Sequence, residues 1–216
     1  AYILSSLAYF YFLNSKMNEN DQKQALIFVR NAQITSYFTP STDTKLNNIA
    51  NSMKDVQTFE SFNHNLAKHQ TSPLKITNDA IEEMMCSSSH ALVFPILQIL
   101  YPNLNYKTNT FHIDHIYPKS KFNEKNEKLD KDFYKWRNHL YNLQLLEGQE
   151  NSAKKDKDPE VWLKEEYKNE RAIEEYKKRN YIDPTLKLEW ENIKEFRETR
   201  EKAIITKLKE VLLPKS

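Results

Sequence analysis

Apolar residues recur at helical spacing through residues 1–101, and polar or capping residues interrupt them at intervals. Leu46, Ile49 and Met53 follow one another at steps of three and four behind Ser41-Thr42-Asp43, so they share one face of a capped helix. The same spacing predicts further helices over about 21–38, from Thr77 or Asn78 onward, and over about 89–101. The first 101 residues are therefore expected to form a helical domain.

The chain opens inside an apolar run, Tyr2 to Leu13, with no capping residue ahead of it. This run is shorter than the roughly 20 apolar residues that cross a bilayer, and no basic segment or small-residue cleavage site accompanies it. We therefore expect a buried helix, no membrane association, and an excerpt from a longer protein in which residues 1–101 act as a linker or scaffold.

The pattern changes after Pro102, where polar loop residues replace the helical spacing. Thr110-Phe111-His112-Ile113 alternates like a short strand, Tyr141 to Leu146 predicts a second strand, and Gly148 predicts a turn. Residues 118–137, between the two strands, are highly charged and are expected to form an exposed insertion.

Two long helices are expected to close the chain. Asp158-Pro159 is a typical helix start, and the helix that follows should end near Asn180. A last helix after Pro184 presents these residues to a core: Trp190, Ile193, Phe196, Ile204, Leu208, Val211 and Leu212. The predicted fold class is mainly α, a helical protein with one small hairpin, in which residues 102–216 form the second domain.

Composition excludes several kinds of site. A single cysteine, Cys86, rules out an internal disulfide framework and any zinc site built on two cysteines, which favours a reducing cytoplasm. A single glycine, Gly148, excludes a phosphate-binding loop and a dinucleotide fingerprint, because both need several glycines. The net charge of +2 is too small to predict nucleic-acid binding from bulk charge.

The candidate chemistry lies between Phe111 and Lys155. Residues two apart in a strand share a face, so His112 and Asp114 would point the same way, with His115 beside them. Phosphodiester hydrolysis needs a nucleophilic water and positive charge near the phosphate, which a neutral histidine and one divalent cation supply. His115 is the candidate base, because the nitrogen that takes the proton must be free of metal.

Further residues of the same stretch could complete the site. Asn151, just past the predicted turn, could bring a neutral oxygen to the ion, and a helix starting there would carry Lys154 and Lys155 on one face, with one ammonium near the scissile phosphate. Asp114 and Asn151 with waters favour Mg²⁺ or Mn²⁺, one cation per site, whereas His112 as a third ligand would favour Mn²⁺, Zn²⁺ or Ni²⁺.

The sequence His-Ile-Asp-His-Ile-Tyr-Pro, followed by Asn-Leu-Gln-Leu-Leu and then Asn-Ser-Ala-Lys, resembles the HNH (ββα-metal) endonuclease motif, a hairpin followed by a helix. The resemblance implies that Asp114 binds the metal and that His115 is the general base. It also implies that Asn142 orients this base across the hairpin and that Asn151 is the second metal ligand. With no cysteine pairs to brace the hairpin, packing is expected to hold it, by Phe111, Ile116, Trp136 and Leu143.

Residues 102–216 as a whole are similar to the C-terminal nuclease domain of GmrSD-type modification-dependent (type IV) restriction enzymes. This resemblance implies cleavage of DNA in defence against phage, and a nucleotide-hydrolysing domain ahead of this chain. Two copies of the chain could pair. The alternative is a non-cleaving module that keeps the hairpin and binds DNA or a protein partner.

Contacts with DNA would come from basic side chains around the motif. Lys119 and Lys121 belong to the charged insertion, whose positive excess suits a phosphate backbone, and Lys155 follows the motif directly. An ordinary solvated surface is the alternative for the insertion. His139 precedes Asn142 by three positions, and a structural role is preferred for it over metal binding.

Overall fold

The computed structural model describes residues 2–39, 41–69, 73–74, 76–87, 89–122 and 133–213. The protein is mainly helical, with a small two-stranded antiparallel sheet, as the spacing of apolar residues predicts. The chain divides into two compact units, Ala1–Ala80 and Ile81–Ser216, which we call the first and second unit. The functional division at residue 101 stays a prediction.

The first unit is a group of helices around an aromatic core. Its helices are α1 (Tyr2–Asn14), α2 (Glu19–Ile34), α3 (Thr42–Ser52) and α4 (Phe59–Leu66), and α5 (Asn78–Met85) begins at its end. Phe10, Phe28, Phe59 and Phe62 pack edge-on or tilted with ring centroids 4.8–6.3 Å apart. The buried Asp21 closes the capping box of α2, and its Oδ1 accepts the Phe59 N–H at 2.7 Å.

Helix α1 forms as expected but is not buried as a whole. Only Ser6 and Phe10 are buried in it, whereas Leu4 is 70% and Phe12 is 80% exposed. A helix that is apolar all round needs cover on every side, and in the described residues α1 packs on the core through Phe10, Ile3 and Leu7. The expectation of a buried helix is therefore wrong for most of its side chains. No helix in the described part of the chain is both long and apolar enough to span a membrane.

The second unit surrounds the hairpin with helices. Its elements after α5 are α6 (His90–Leu100), β1 (Phe111–His115), α7 (Phe133–Trp136), β2 (Leu143–Glu147), α8 (Gly148–Lys154), α9 (Pro159–Glu166), α10 (Glu170–Arg179) and α11 (Ile193–Leu212). Strands β1 and β2 pair antiparallel from Phe111 opposite Glu147 to His115 opposite Leu143. Helix α8 follows β2 without a loop and packs on both strands.

Helix α11 packs one apolar face into the core of the second unit. It buries Phe196, Ile204, Leu208 and Leu212 at steps of eight, four and four, and contacts α6 and the 3-10 turn at Leu140–Asn142. The ring of Tyr117, two residues after β1, lies 4.9 Å from that of Phe196 and 5.1 Å from that of Trp190. The segment that follows β1 is therefore packed into the core.

Several predicted boundaries differ from the structure. The single helix expected over 158–180 is two helices, because Asn169 accepts the Ala172 N–H at 2.9 Å and caps α10 separately. Gly148 is the first residue of α8 and not part of a turn, and the last helix begins only at Ile193. The charged insertion is anchored by buried apolar residues at its ends, Pro118, Phe122 and Phe133, while 123–132 lies outside the described residues.

Candidate active site

One face of the hairpin and helix α8 form the candidate site. Asp114 lies opposite Gln144 and His112 lies opposite Leu146, and the alternation of the strands turns these four side chains to one side of the sheet. A Cβ atom added to Gly148 would lie 3.6 Å from Nε2 of His112, so the exposed His112 ring sits over the start of α8. The predicted pairing of His112 and Asp114 on one face follows from this geometry.

The Asp114 carboxylate receives both of its hydrogen bonds on one oxygen. Oδ2 accepts from Nε2 of Gln144 at 3.0 Å and lies 2.9 Å from Nζ of Lys154. Oδ1 has no hydrogen-bond partner among the described residues, and the side chain is 13% exposed. This arrangement leaves Oδ1 as the oxygen that could bind a cation.

Lys154 is buried beneath the hairpin, with 1% of its side chain exposed. Its ammonium pairs with Asp114, donates to the backbone carbonyl of His115 at 2.5 Å, and lies 5.8 Å from the centre of the Trp162 ring. Burial lowers the pKa of Lys154, and the charge of Asp114 counteracts this effect. The structure thus places the ammonium between α8 and the end of β1, and the catalytic role predicted for Lys154 stays a prediction.

The His115 ring is held by a hydrogen bond between its Nε2 and the side chain of Asn138. Nε2 lies 3.0 Å from Oδ1 of Asn138. With the amide placed in this way, Nε2 carries the proton and Nδ1 is the nitrogen that can accept one. Burial lowers the pKa of His115 below its usual 6.5, and the bond to Asn138 and the charge of Asp114 offset only part of this shift. The ring is therefore neutral at pH 7, as a general base must be.

Asn142 is fully buried and holds the segment that follows His115. Its Oδ1 accepts the Tyr117 N–H at 2.9 Å, while Nδ2 donates to the carbonyls of Tyr117 and Arg137 at 3.1 and 2.9 Å. Its backbone carbonyl accepts the Ile116 N–H at 2.8 Å. In the described residues the Asn142 side chain therefore bonds backbone atoms near the base and not the imidazole ring, and its predicted role in orienting His115 stays a prediction.

The remaining predicted residues lie around this core of the site. Asn151 is half-buried in the middle of α8, and its side chain makes no hydrogen bond within the described residues. Lys155 is exposed directly after α8 with a backbone φ of 49°. Lys119 is exposed and Lys121 is half-buried in the 3-10 turn after Pro118, with Nζ of Lys121 3.6 Å from Oδ1 of Asp158.

The donor set suits a cation that prefers oxygen. In the described parts of the chain, no three His, Cys, Asp or Glu side chains converge as metal ligands. The candidate ligands are instead one carboxylate oxygen of Asp114 and the amide oxygen of Asn151, to which His112 could be added. Mg²⁺ and Mn²⁺ often bind proteins through one or two carboxylates with several waters retained, so these residues fit such an ion.

Three of the four residues expected to hold the hairpin, Phe111, Ile116 and Leu143, pack at it as predicted, whereas Trp136 packs against Arg197 of α11. Ile116 and Leu143 are buried, and the half-buried Phe111 packs its ring 5.3 Å from that of Tyr106. The fourth residue, Trp136, has the guanidinium of Arg197 3.7 Å above its ring. His139, for which a structural role was preferred, lies edge-on to Tyr141 at 6.4 Å, and burial together with Arg197 lowers its pKa.

Three residues of the site were not found from the sequence. Gln144 carries a readable signal, because it is a polar residue among leucines in a predicted strand. Pairing of the two strands places it opposite Asp114, on the same face of the hairpin. Asn138 carries no such signal, because it approaches His115 from a turn 23 residues away. The third residue is Tyr176 on α10, whose hydroxyl donates to Gln144.

Comparison with known proteins bears on this part of the chain. The family model described as GmrSD restriction endonucleases, C-terminal domain, matches residues 96–207. The match runs from within α6 to within α11 and so includes the hairpin, α8 and every candidate residue described above. A search of curated proteins gives no match.

Proposed function

Because this chain belongs to the family of GmrSD restriction endonuclease C-terminal domains, we propose that it is a nuclease domain that hydrolyses DNA by an HNH-type mechanism. The observation that carries this proposal is the pair Asp114 and His115 at the end of β1. Within the described residues one oxygen of the carboxylate accepts no hydrogen bond, and the next side chain is an imidazole that burial keeps neutral.

His115 acts as the general base in this mechanism. Nδ1 takes a proton from the attacking water, while the bond from Nε2 to Asn138 fixes the plane of the ring and stabilises the imidazolium that forms. Lys154 donates to the His115 carbonyl and so fixes the backbone from which the ring projects. Asn142 holds the next two residues and prevents the base from moving away from the carboxylate.

Asp114 and Asn151 would hold one Mg²⁺ or Mn²⁺, with His112 as an optional third ligand. When bound, the cation would supply positive charge to the phosphate oxygens and to the departing oxygen. Lys155, which is exposed next to α8, would contact the DNA backbone beside this site. Lys119 and Lys121, in the turn after β1, would extend the same contact, and Lys121 does so in competition with its pairing to Asp158.

The family also suggests the setting of this activity. We propose that the domain serves in restriction of foreign or modified phage DNA in the cytoplasm, together with a nucleotide-hydrolysing domain or subunit. Association of two copies would allow both strands of a duplex to be cut.

One observation favours the alternative of a non-cleaving binding module. The buried ammonium of Lys154 already neutralises Asp114, and a carboxylate that is paired in this way attracts a cation less strongly than an unpaired one. A module of this kind would bind DNA or a protein partner through the same basic surface without turnover.

Cleavage of supercoiled plasmid DNA separates the two functions. We expect nicking or linearisation with Mg²⁺ or Mn²⁺, none with EDTA, and a loss of about 10²–10⁴-fold in rate for His115→Ala with DNA binding retained. His64→Ala, at an exposed position of α4 in the first unit, is the matched control and should cleave normally. Binding of DNA without cleavage by the unaltered protein, under either metal, would favour the binding module.

A further inference from the structure

A chain of buried hydrogen bonds connects α10 to the candidate metal ligand. The Tyr176 hydroxyl donates to Oε1 of Gln144 at 2.6 Å, and Nε2 of Gln144 donates to Oδ2 of Asp114 at 3.0 Å. Gln144 is fully buried and Tyr176 is 3% exposed. Neither residue is a candidate ligand or base, and no step of the proposed mechanism uses them.

The Tyr176 hydroxyl, at one end of this series of hydrogen bonds, sets the direction of both bonds. A protonated phenol that donates to Oε1 forces the amide NH₂ of Gln144 toward Asp114, because an amide offers its oxygen on one side only. Burial raises the pKa of Tyr176 well above 10, so the hydroxyl keeps its proton at neutral pH. The opposite amide orientation would place two oxygens against each other at Asp114.

We propose that Tyr176 and Gln144 are positioning residues that hold Oδ2 of Asp114 as the hydrogen-bonded oxygen and thereby present Oδ1 to a divalent cation. This inference rests on the proposed function, since it concerns the same site. It adds a specific claim, namely that the affinity of the site for its cation is set in part by a tyrosine on a helix two elements beyond α8.

The position of Tyr176 is itself fixed by the core. Its ring packs edge-on to Trp162 with centroids 5.3 Å apart and tilted to Tyr167 at 5.4 Å. Its carbonyl accepts Nδ2 of Asn180 at 2.9 Å, and Oδ1 of that asparagine accepts the Tyr101 hydroxyl at 2.6 Å. The hydroxyl that orients Gln144 is therefore held by fixed neighbours, as a positioning group requires.

Binding of Mn²⁺ without DNA tests this inference apart from cleavage. Removal of an outer hydrogen-bond partner of a metal ligand usually weakens binding by about 10–100-fold, so Tyr176→Phe should raise the Mn²⁺ dissociation constant at least 10-fold. Asp114→Asn should abolish binding. Tyr167→Phe is the matched control and should stay within about twofold of the unaltered protein, because its hydroxyl contacts Glu150 and Arg179 on the protein surface.

Plasmid cleavage at increasing Mn²⁺ provides a second measurement. A positioning role predicts that Tyr176→Phe needs more metal for half-maximal rate and recovers most of its rate at saturation, which a general loss of structure would not allow. Equal Mn²⁺ affinity in Tyr176→Phe and the unaltered protein would overturn the positioning role and leave the proposed function standing. Failure of the unaltered protein to bind Mn²⁺ would overturn both.

Discussion

Replacement of Arg200 by methionine should destabilise the second unit by about 3–5 kcal/mol, because the guanidinium holds together segments that are far apart in sequence. Arg200 is fully buried on α11, and no carboxylate in the described residues lies within salt-bridge distance of it. Nε donates to the Asn180 carbonyl at 2.7 Å, Nη2 to the Leu143 carbonyl at 2.8 Å, and Nη1 to the Tyr141 carbonyl. Two weaker contacts reach the Leu140 carbonyl and the Tyr101 hydroxyl.

The magnitude follows from the three strong bonds. Each buried carbonyl that loses its donor costs about 1–3 kcal/mol, which sums to roughly 3–9 kcal/mol. Methionine also removes a buried charge, whose desolvation costs several kcal/mol in the native protein, and this gain offsets the upper part of the range. The same burial lowers the pKa of Arg200 without removing its charge near pH 7.

Urea denaturation followed by tryptophan fluorescence measures this loss in the second unit alone. All three tryptophans, Trp136, Trp162 and Trp190, lie in that unit. With a slope of about 2 kcal/mol per M, the midpoint should fall by about 1.5–2.5 M.

Two further variants sharpen the result. Arg200→Lys should give an intermediate midpoint, because an ammonium cannot span the carbonyls that the planar guanidinium reaches. Arg171→Met, at a site whose side chain is 88% exposed on α10, should leave the midpoint unchanged. A midpoint for Arg200→Met within about 0.5 M of the unaltered protein would refute the reasoning, since it would mean that less than about 1 kcal/mol depends on these bonds.

Three other results are expected. Because burial lowers the pKa of His115, protonation should slow cleavage only below pH 6.5, and a pH–rate profile that already declines on acidification from pH 8 to 7 would argue against His115 as the base. Lys154→Met should tighten Mn²⁺ binding in a calorimetric titration, because it removes a positive charge beside Asp114. It should also lower the thermal midpoint, because the His115 carbonyl loses this donor. Weaker Mn²⁺ binding would show instead that the ammonium assists the cation. Asn169→Ala should reduce the free energy of unfolding by about 1 kcal/mol through the lost α10 cap, against no loss for Asn47→Ala, at an exposed position inside α3.

The elements that the sequence predicted are those that depend on local spacing. Leu46, Ile49 and Met53 recur on one helix face, and β1 and β2 alternate visibly, because these patterns need no knowledge of distant residues. The candidate chemistry was readable for a similar reason. Asp114 and His115 are adjacent, and the resemblance to the HNH motif points to Asn142 and Asn151 without knowledge of the fold, although their roles stay predictions.

The parts that sequence reasoning missed depend on long-range contacts. Tyr176 meets Gln144 across 32 residues and Arg200 meets Tyr141 across 59, and no periodicity records such pairings. The burial of Lys154 was also unforeseen, because a lysine at the end of a short helix usually projects into solvent. Only the packing of α9 and the end of β1 around it turns this ammonium inward.

The hydrogen bonds of Asn142 to the backbone of Tyr117 also stabilise the pairing of the two strands. In the described residues the sheet has two strands, and a lone pair of strands is marginal and prone to slide. A slip of one residue turns every side chain to the opposite face, which would carry Asp114 away from α8 and put His115 in its place. Since Asn142 bonds both the N–H and the C=O of Tyr117, it admits only one alignment. Loss of cleavage in Asn142→Ala would then come from a shifted hairpin in which all the other site residues are still present. An added covalent bond between the two strands that restores the alignment should restore the rate.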